Sequence, residues 1–265
     1  VLLGYNAGGG VMTAAADGTV AVGFSALAAL TTGIGNVSVG YQCLDAEATG
    51  DYSTAVGHQA LSAQTGVDGA VGNTAIGFQS GMAITLGRFS TAIGASALRT
   101  EDVGDRTVAI GFESLYSQNS DSNNETTGNT GIGYASGYYN VTGQNNTYLG
   151  YQSGKGASGQ SNSYNVGVGS NALLDITDGQ RNTAIGQSAG ANLTTAHRTV
   201  MIGDSAGVGV MITNSGGSVP SYADGSVGIG YSALGALTTG AGNVAVGYQA
   251  GDALTTESNN TILGH

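Results

Sequence analysis

One short pattern of apolar and small residues recurs along the whole chain. A Val or Thr, then a small residue, then Ile, Val or Leu leads into a glycine, as in Val20-Ala21-Val22-Gly23 and Thr74-Ala75-Ile76-Gly77. Branched residues at alternate positions predict a strand of about three residues with an apolar face, and the glycine breaks it. The motif glycine stands at Gly4, Gly23, Gly40, Gly57, Gly77, Gly94, Gly111, Gly133, Gly150, Gly169, Gly186, Gly203, Gly230, Gly247 and Gly264. Nine of the fourteen intervals are 17 residues, and the others are 19, 20, 22, 19 and 27, so 17 is the minimum.

Counting from that glycine, each register position has its own rule. Position −4 is Asn, Ser or Thr, position +1 is most often Tyr or Phe, and position +3 is always Ala, Ser or Cys. Position +4 is Leu in seven copies and Gly in the other seven complete ones. Seventeen residues hold two short strands and two turns, which is one coil of a parallel solenoid with like residues stacked on like. Coils roughly 4.8 Å apart would make a rod about 70 Å long, with ladders of Asn, of Tyr and of Ile/Val. Residues 1–265 read as one repetitive all-β domain with insertions near 116–128 and 208–225. Hexapeptide helices, calcium-binding nonapeptide rolls and leucine-rich repeats each need a period or residue that is missing here.

Composition narrows the class further. With 48 Gly, one Pro, no Trp and 9% charged residues the chain is unlike an ordinary enzyme. Glycine without a three-residue period excludes collagen, and 40% apolar residues argue against disorder. Six Lys plus Arg against seventeen Asp plus Glu give a net charge of −11, which disfavours nucleic acid. No apolar run is long enough to span a bilayer. Among the charged residues only Glu113 and Asp204 lie within four positions of a motif glycine, so the connecting half of each coil is expected to be the solvated one.

The segments Asn73-Thr74-Ala75-Ile76-Gly77-Phe78-Gln79-Ser80 and Asn243-Val244-Ala245-Val246-Gly247-Tyr248-Gln249-Ala250-Gly251 resemble the head repeats of trimeric autotransporter adhesins. They are also similar to repeats in bacteriophage tail fibres. The resemblance implies a left-handed parallel β-roll and a homotrimer with apolar strand faces packed around the threefold axis. The longer unit and the frequent aromatic at +1 favour the fibre branch. It further implies a virion tail-fibre segment, part of a longer fibre, that meets a host cell-surface glycan or protein and neighbouring virion proteins. A bacterial surface adhesin head is the alternative. Independently, a thin coil of small residues buries little apolar area, so several rods joined along an apolar face would supply the missing core.

Candidate chemistry is sparse. Seven of the thirteen tyrosines fall between residues 116 and 164, which suggests a glycan-contacting flank; Tyr116, Tyr138, Tyr139 and Tyr164 are its candidates, with Tyr222 in the longest insertion. Acidic groups at Asp45/Glu47, Glu101/Asp102/Asp105 and Asp175/Asp178 raise a polysaccharide depolymerase, although turn caps explain them as well. Recurrent Leu-Thr-Thr turns raise ice binding as a lesser alternative. His58 and His197 lack a Ser and Asp at consistent spacing, so no triad is supported. Cys43 fills the small +3 position. No catalytic residue, cofactor or metal ligand is assigned, and the expectation is a structural and adhesive protein, with no nucleic acid partner and no membrane insertion.

Overall fold

Each motif copy builds one strand, because its branched residues favour extended backbone and the glycine at position zero ends it. The computed structural model describes residues 1–13, 16–66, 68–211 and 224–265. Among these there is no helix, and the chain is a parallel β-solenoid of about fifteen turns. It divides into two compact units, Val1–Asn129 and Thr130–His265. The first holds β1 (Leu2–Leu3), β2 (Val20–Val22), β3 (Val37–Val39), β4 (Gly50–Asp51), β5 (Thr54–Val56), β6 (Gly69–Ala70), β7 (Thr74–Ile76), β8 (Thr91–Ile93) and β9 (Val108–Ile110). The second holds β10 (Thr130–Ile132), β11 (Thr147–Leu149), β12 (Val166–Val168), β13 (Thr183–Ile185), β14 (Val200–Ile202), β15 (Val227–Ile229), β16 (Val244–Val246) and β17 (Thr261–Leu263). Within each unit the motif strands pair in parallel and in motif register, Thr74 opposite Thr91 and Val200 opposite Val227. The 27-residue interval before Gly230 therefore leaves the ladder intact.

The sequence predicts two strands per turn, and the structure has one. Among the described residues a second ladder forms only between β4 and β6, with isolated bridges at Asp105–Thr126, Asn140–Gln160 and Leu193–Met211. The connecting half is too rich in Gly, Asn, Ser and Thr to stay extended, and it joins neighbouring coils through separate backbone bonds, such as Thr31 N to Ala48 O and Tyr52 N to Ile34 O, together with side-chain bonds.

The middle strand residue faces inward and its branched neighbours face outward. Ala21, Ala55 and Ala92 are buried in the first unit, as are Ala184 and Ala245 in the second, each between half-buried or exposed Val, Thr or Ile. Three residues at the turn then leave ordinary backbone space. Gly40 has φ +145°, and an added Cβ would stand 2.3 Å from the carbonyl oxygen of Gly57 in the next coil. Position +2 is left-handed without being glycine, as at Gln42 and Gln59 (φ 47° and 55°), and position +4 is left-handed as Leu44 or Leu61 (φ 50° for both). A left-handed leucine costs roughly 1–2 kcal/mol. Its side chain is completely buried, which returns about 2 kcal/mol, and its amide bonds the next coil, Leu44 N to Ala60 O at 3.1 Å.

In two of the coils where +4 is Gly, the volume passes to the strand. Tyr148 and Met201 replace the usual Ala at mid-strand, and both are fully buried. A Cβ on Gly154 would lie 2.2 Å from the Tyr148 ring, and one on Gly207 2.4 Å from the Met201 sulfur. The tyrosine cluster is thereby corrected at one member, since Tyr148 belongs to the interior. Its hydroxyl donates to Asn162.

The polar interior is a ladder too. The side chain of Asn36 accepts from Ser53 N at 2.8 Å and donates to Gly50 O at 2.7 Å. Asn73, Asn165, Asn182 and Asn243 repeat this bridge. Glu47 and Glu101, at position +7 where other coils carry Leu30 or Ile84, are fully buried, and Asp105 is nearly so. The expectation that the connecting half is uniformly solvated is therefore wrong. Glu101 Oε1 accepts from the amides of Val103 and Gly104, and its Oε2 from Gln118 at 2.8 Å. Gln118 also donates to Thr107, and Glu47, Gln64 and Ser53 form the same set. These donors offset the cost of burying the Glu47 and Glu101 carboxyl groups.

Candidate contact surfaces

The outward strand residues and the +1 aromatics form exposed apolar rows in each unit. In the first, Tyr5, Phe24, Tyr41, His58 and Phe78 stack with ring centroids 4.9–5.4 Å apart. In the second, Tyr134 stacks on Tyr151, and Tyr231, Tyr248 and His265 form another run. Faces that stack on one another leave ring edges for an outside partner, and Phe78 and Tyr248 remain about half exposed. Beside them the outward Ile76 and Ile185 are 40% and 39% exposed, in strands where mid-position Ala is covered. His58 thus sits in the aromatic ladder.

The candidate tyrosines separate. Tyr116 is half-buried, takes a hydrogen bond from Arg99 at 2.9 Å and lies under that guanidinium. Tyr138 and Tyr139 are half-buried and meet edge to face at 4.6 Å. Tyr164 is exposed at a different register position, five before Gly169, with Arg181 over its ring. Tyr222, with most of the 208–225 insertion, lies outside the described residues.

Asp105, one of the acidic candidates, shares a local task with Asp51 and Asp224. Asp51, Asp105 and Asp224 each accept the amide of the corresponding residue one coil earlier, at 2.7–2.8 Å. His197 does the same through Nδ1, accepting from Gln180 N at 2.9 Å, which assigns its proton to Nε2. Burial raises the Asp45 carboxyl above its usual range. Thr31, Thr85, Thr177 and Thr238 of the Leu-Thr-Thr-type turns donate their hydroxyls to carbonyls of the next coil, so those hydrogens are already spent. Among the described residues no group of three or more His, Cys, Asp or Glu is placed to hold a metal ion.

Cys43 packs in the core with Sγ 3.2 Å from Ala55 O, and desolvation, only partly offset by Ser38, pushes its thiol up to about 11. Below its ordinary pKa of 9.0 the thiol is neutral folded or unfolded. Above it the unfolded chain ionises first, and stability falls. A thiol reagent at pH 8 is expected to label Cys43 only on unfolding; rapid stoichiometric labelling of native protein would contradict this placement.

Sequence reasoning missed the position five before each motif glycine. Glycine recurs there as Gly18, Gly35 and Gly72, while Tyr52, Phe89, Arg106, Tyr164, Arg181 and Arg198 share its left-handed backbone and are exposed. The mixture of Gly with large side chains was the available signal.

Compared with known family models, curated proteins and solved structures, the chain matches none.

Proposed function

We propose that the protein is a segment of a homotrimeric fibre that carries and spaces a surface-contacting face, as in a bacteriophage tail fibre. The observation that supports this is the pairing of an outward Val/Ile row with a stacked aromatic ladder that offers only ring edges. Edges and branched aliphatics suit packing against another protein surface, and sugar rings prefer aromatic faces. Burying the exposed half of one such ring, roughly 100 Å², is worth about 2 kcal/mol, and the ladder repeats that gain coil after coil. Three left-handed rolls around a threefold axis are the arrangement that the repeat's resemblance suggests. Three copies also multiply weak contacts to a host surface through avidity.

Sedimentation equilibrium tests the assembly. Wild type is expected to run as a trimer, and Ile185→Lys with Val246→Lys as a folded monomer by circular dichroism. A monomeric wild type at tens of micromolar would sink the reading. The adhesin-head alternative is separated by the surrounding reading frame: a coiled-coil stalk with a membrane anchor supports it, whereas a virion-attachment or chaperone domain supports the fibre.

A further inference from the structure

The backbone five residues before each motif glycine turns left-handed, and in the second unit four consecutive coils place large side chains there. They are Asn145, Tyr164, Arg181 and Arg198, with φ between 56° and 61°. Gly225 and Gly242 build the same corner with no side chain at all. Tyr and Arg pay roughly 1–2 kcal/mol for this conformation, which Asn tolerates, so the side chains of Tyr164, Arg181 and Arg198 are an expense the fold does not require. All four are exposed. Strain kept where it brings no core packing points to a use outside the fold.

The chemistry of the strip is specific. Arg181 lies over the Tyr164 ring at 5.2 Å and makes no ion pair or side-chain hydrogen bond among the described residues. Among the described residues Arg198, 64% exposed, reaches only Asp224, at 3.9 Å. Two guanidiniums on neighbouring coils thus hold nearly all their donors unspent, in a chain with six cationic side chains and a net charge of −11. The carboxylates nearby are engaged. Asp224 takes the His197 amide, and Asp178 takes the side-chain amide of Gln160 at 2.8 Å. The negative charge elsewhere is screened over about 8 Å at physiological salt, so it does not cancel a local anion site.

We propose that Asn145, Tyr164, Arg181 and Arg198 form a binding strip for an acidic polysaccharide, one whose sugar rings carry carboxylates. Guanidinium forks match carboxylates in two-point geometry, and the Tyr164 hydroxyl and Asn145 amide meet the sugar hydroxyls. Coils about 4.8 Å apart present these groups at close to the rise of successive sugars in an extended chain. The proposal rests on the surface-attachment reading and names the ligand class for it.

Titration calorimetry with oligogalacturonate is the test, with dextran as the neutral probe. Wild type is expected to bind oligogalacturonate, more weakly as salt rises, and to ignore dextran. Arg181→Gly with Arg198→Gly is expected to weaken binding at least tenfold. Glycine suits this backbone, as at Gly225 and Gly242, and an unchanged circular dichroism spectrum and melting temperature for the variant separate lost binding from lost folding. No binding of oligogalacturonate by wild type, equal binding of dextran, or unchanged binding by the double variant overturns the proposal. A cell-binding assay separates the two readings. If wild type attaches to host cells and the double variant attaches equally well, the strip is wrong and attachment stands. If the wild-type trimer attaches to none, the attachment reading itself falls.

Discussion

Gly40→Ala is expected to lower the unfolding free energy by about 3–5 kcal/mol, combining roughly 1–3 kcal/mol of backbone strain with a comparable collision cost. The added methyl would meet the Gly57 carbonyl at 2.3 Å, at a φ of +145° that side chains do not adopt. Relief would require the two coils to separate, which removes the bond from Gly57 N to Val39 O as well. Gly18→Ala is the matched comparison. Its φ is +71° and its nearest neighbour would be 3.6 Å away, so only the left-handed penalty of roughly 1–2 kcal/mol applies. Urea unfolding followed by circular dichroism compares the two. Equal losses would show that the motif glycine is not set by the approach of the next coil.

That glycine was legible in the sequence because it recurs at a fixed address, and so were the Asn and aromatic ladders. A ladder needs only like residues at one register, which period alone reveals. The direction in which residues face was harder. Alternation separates Ala75 from Thr74 and Ile76 but does not say which side is interior, and here the smaller residue is inside because Leu61 and Ile84 fill the space. Glu47 and Glu101 were hidden for a different reason. A charged residue in a polar stretch looks solvated, and its burial depends on donors at Gln64 and Gln118, one coil away in space and 17 residues away in the chain. Of the tyrosine flank, Tyr164 alone shares the exposed corner with arginines, because that corner follows from backbone conformation and not from tyrosine density.

The second large effect is a coupling. Tyr148→Ala is expected to cost about 3–5 kcal/mol for the cavity it leaves, and Gly154→Ala about 2–4 kcal/mol for overpacking plus left-handed strain. The pair should cost less than the sum, by about 1–3 kcal/mol, because the methyl on Gly154 then meets no ring. Gly167, whose Cβ would stand 3.1 Å from the same ring, completes the space on the far side. Strict additivity in the double-mutant cycle would mean that the ring and the glycine do not share a volume.

That shared volume has a consequence for how the chain finds its register. A protein made of near-identical coils is exposed to one particular error, in which a strand pairs with the wrong copy and every later coil shifts by a whole repeat. Backbone hydrogen bonds would not detect the slip, since one motif strand resembles the next. Bulk does detect it. Tyr148 fits only where glycines stand both four residues past its own motif glycine and at mid-strand in the following coil, and Met201 has its own such pair in Gly207 and Gly228. The coils are therefore not interchangeable parts. The Tyr148 and Met201 coils each carry a mark in the bulk of one buried side chain, and that mark fixes their place among the Ala-centred coils around them.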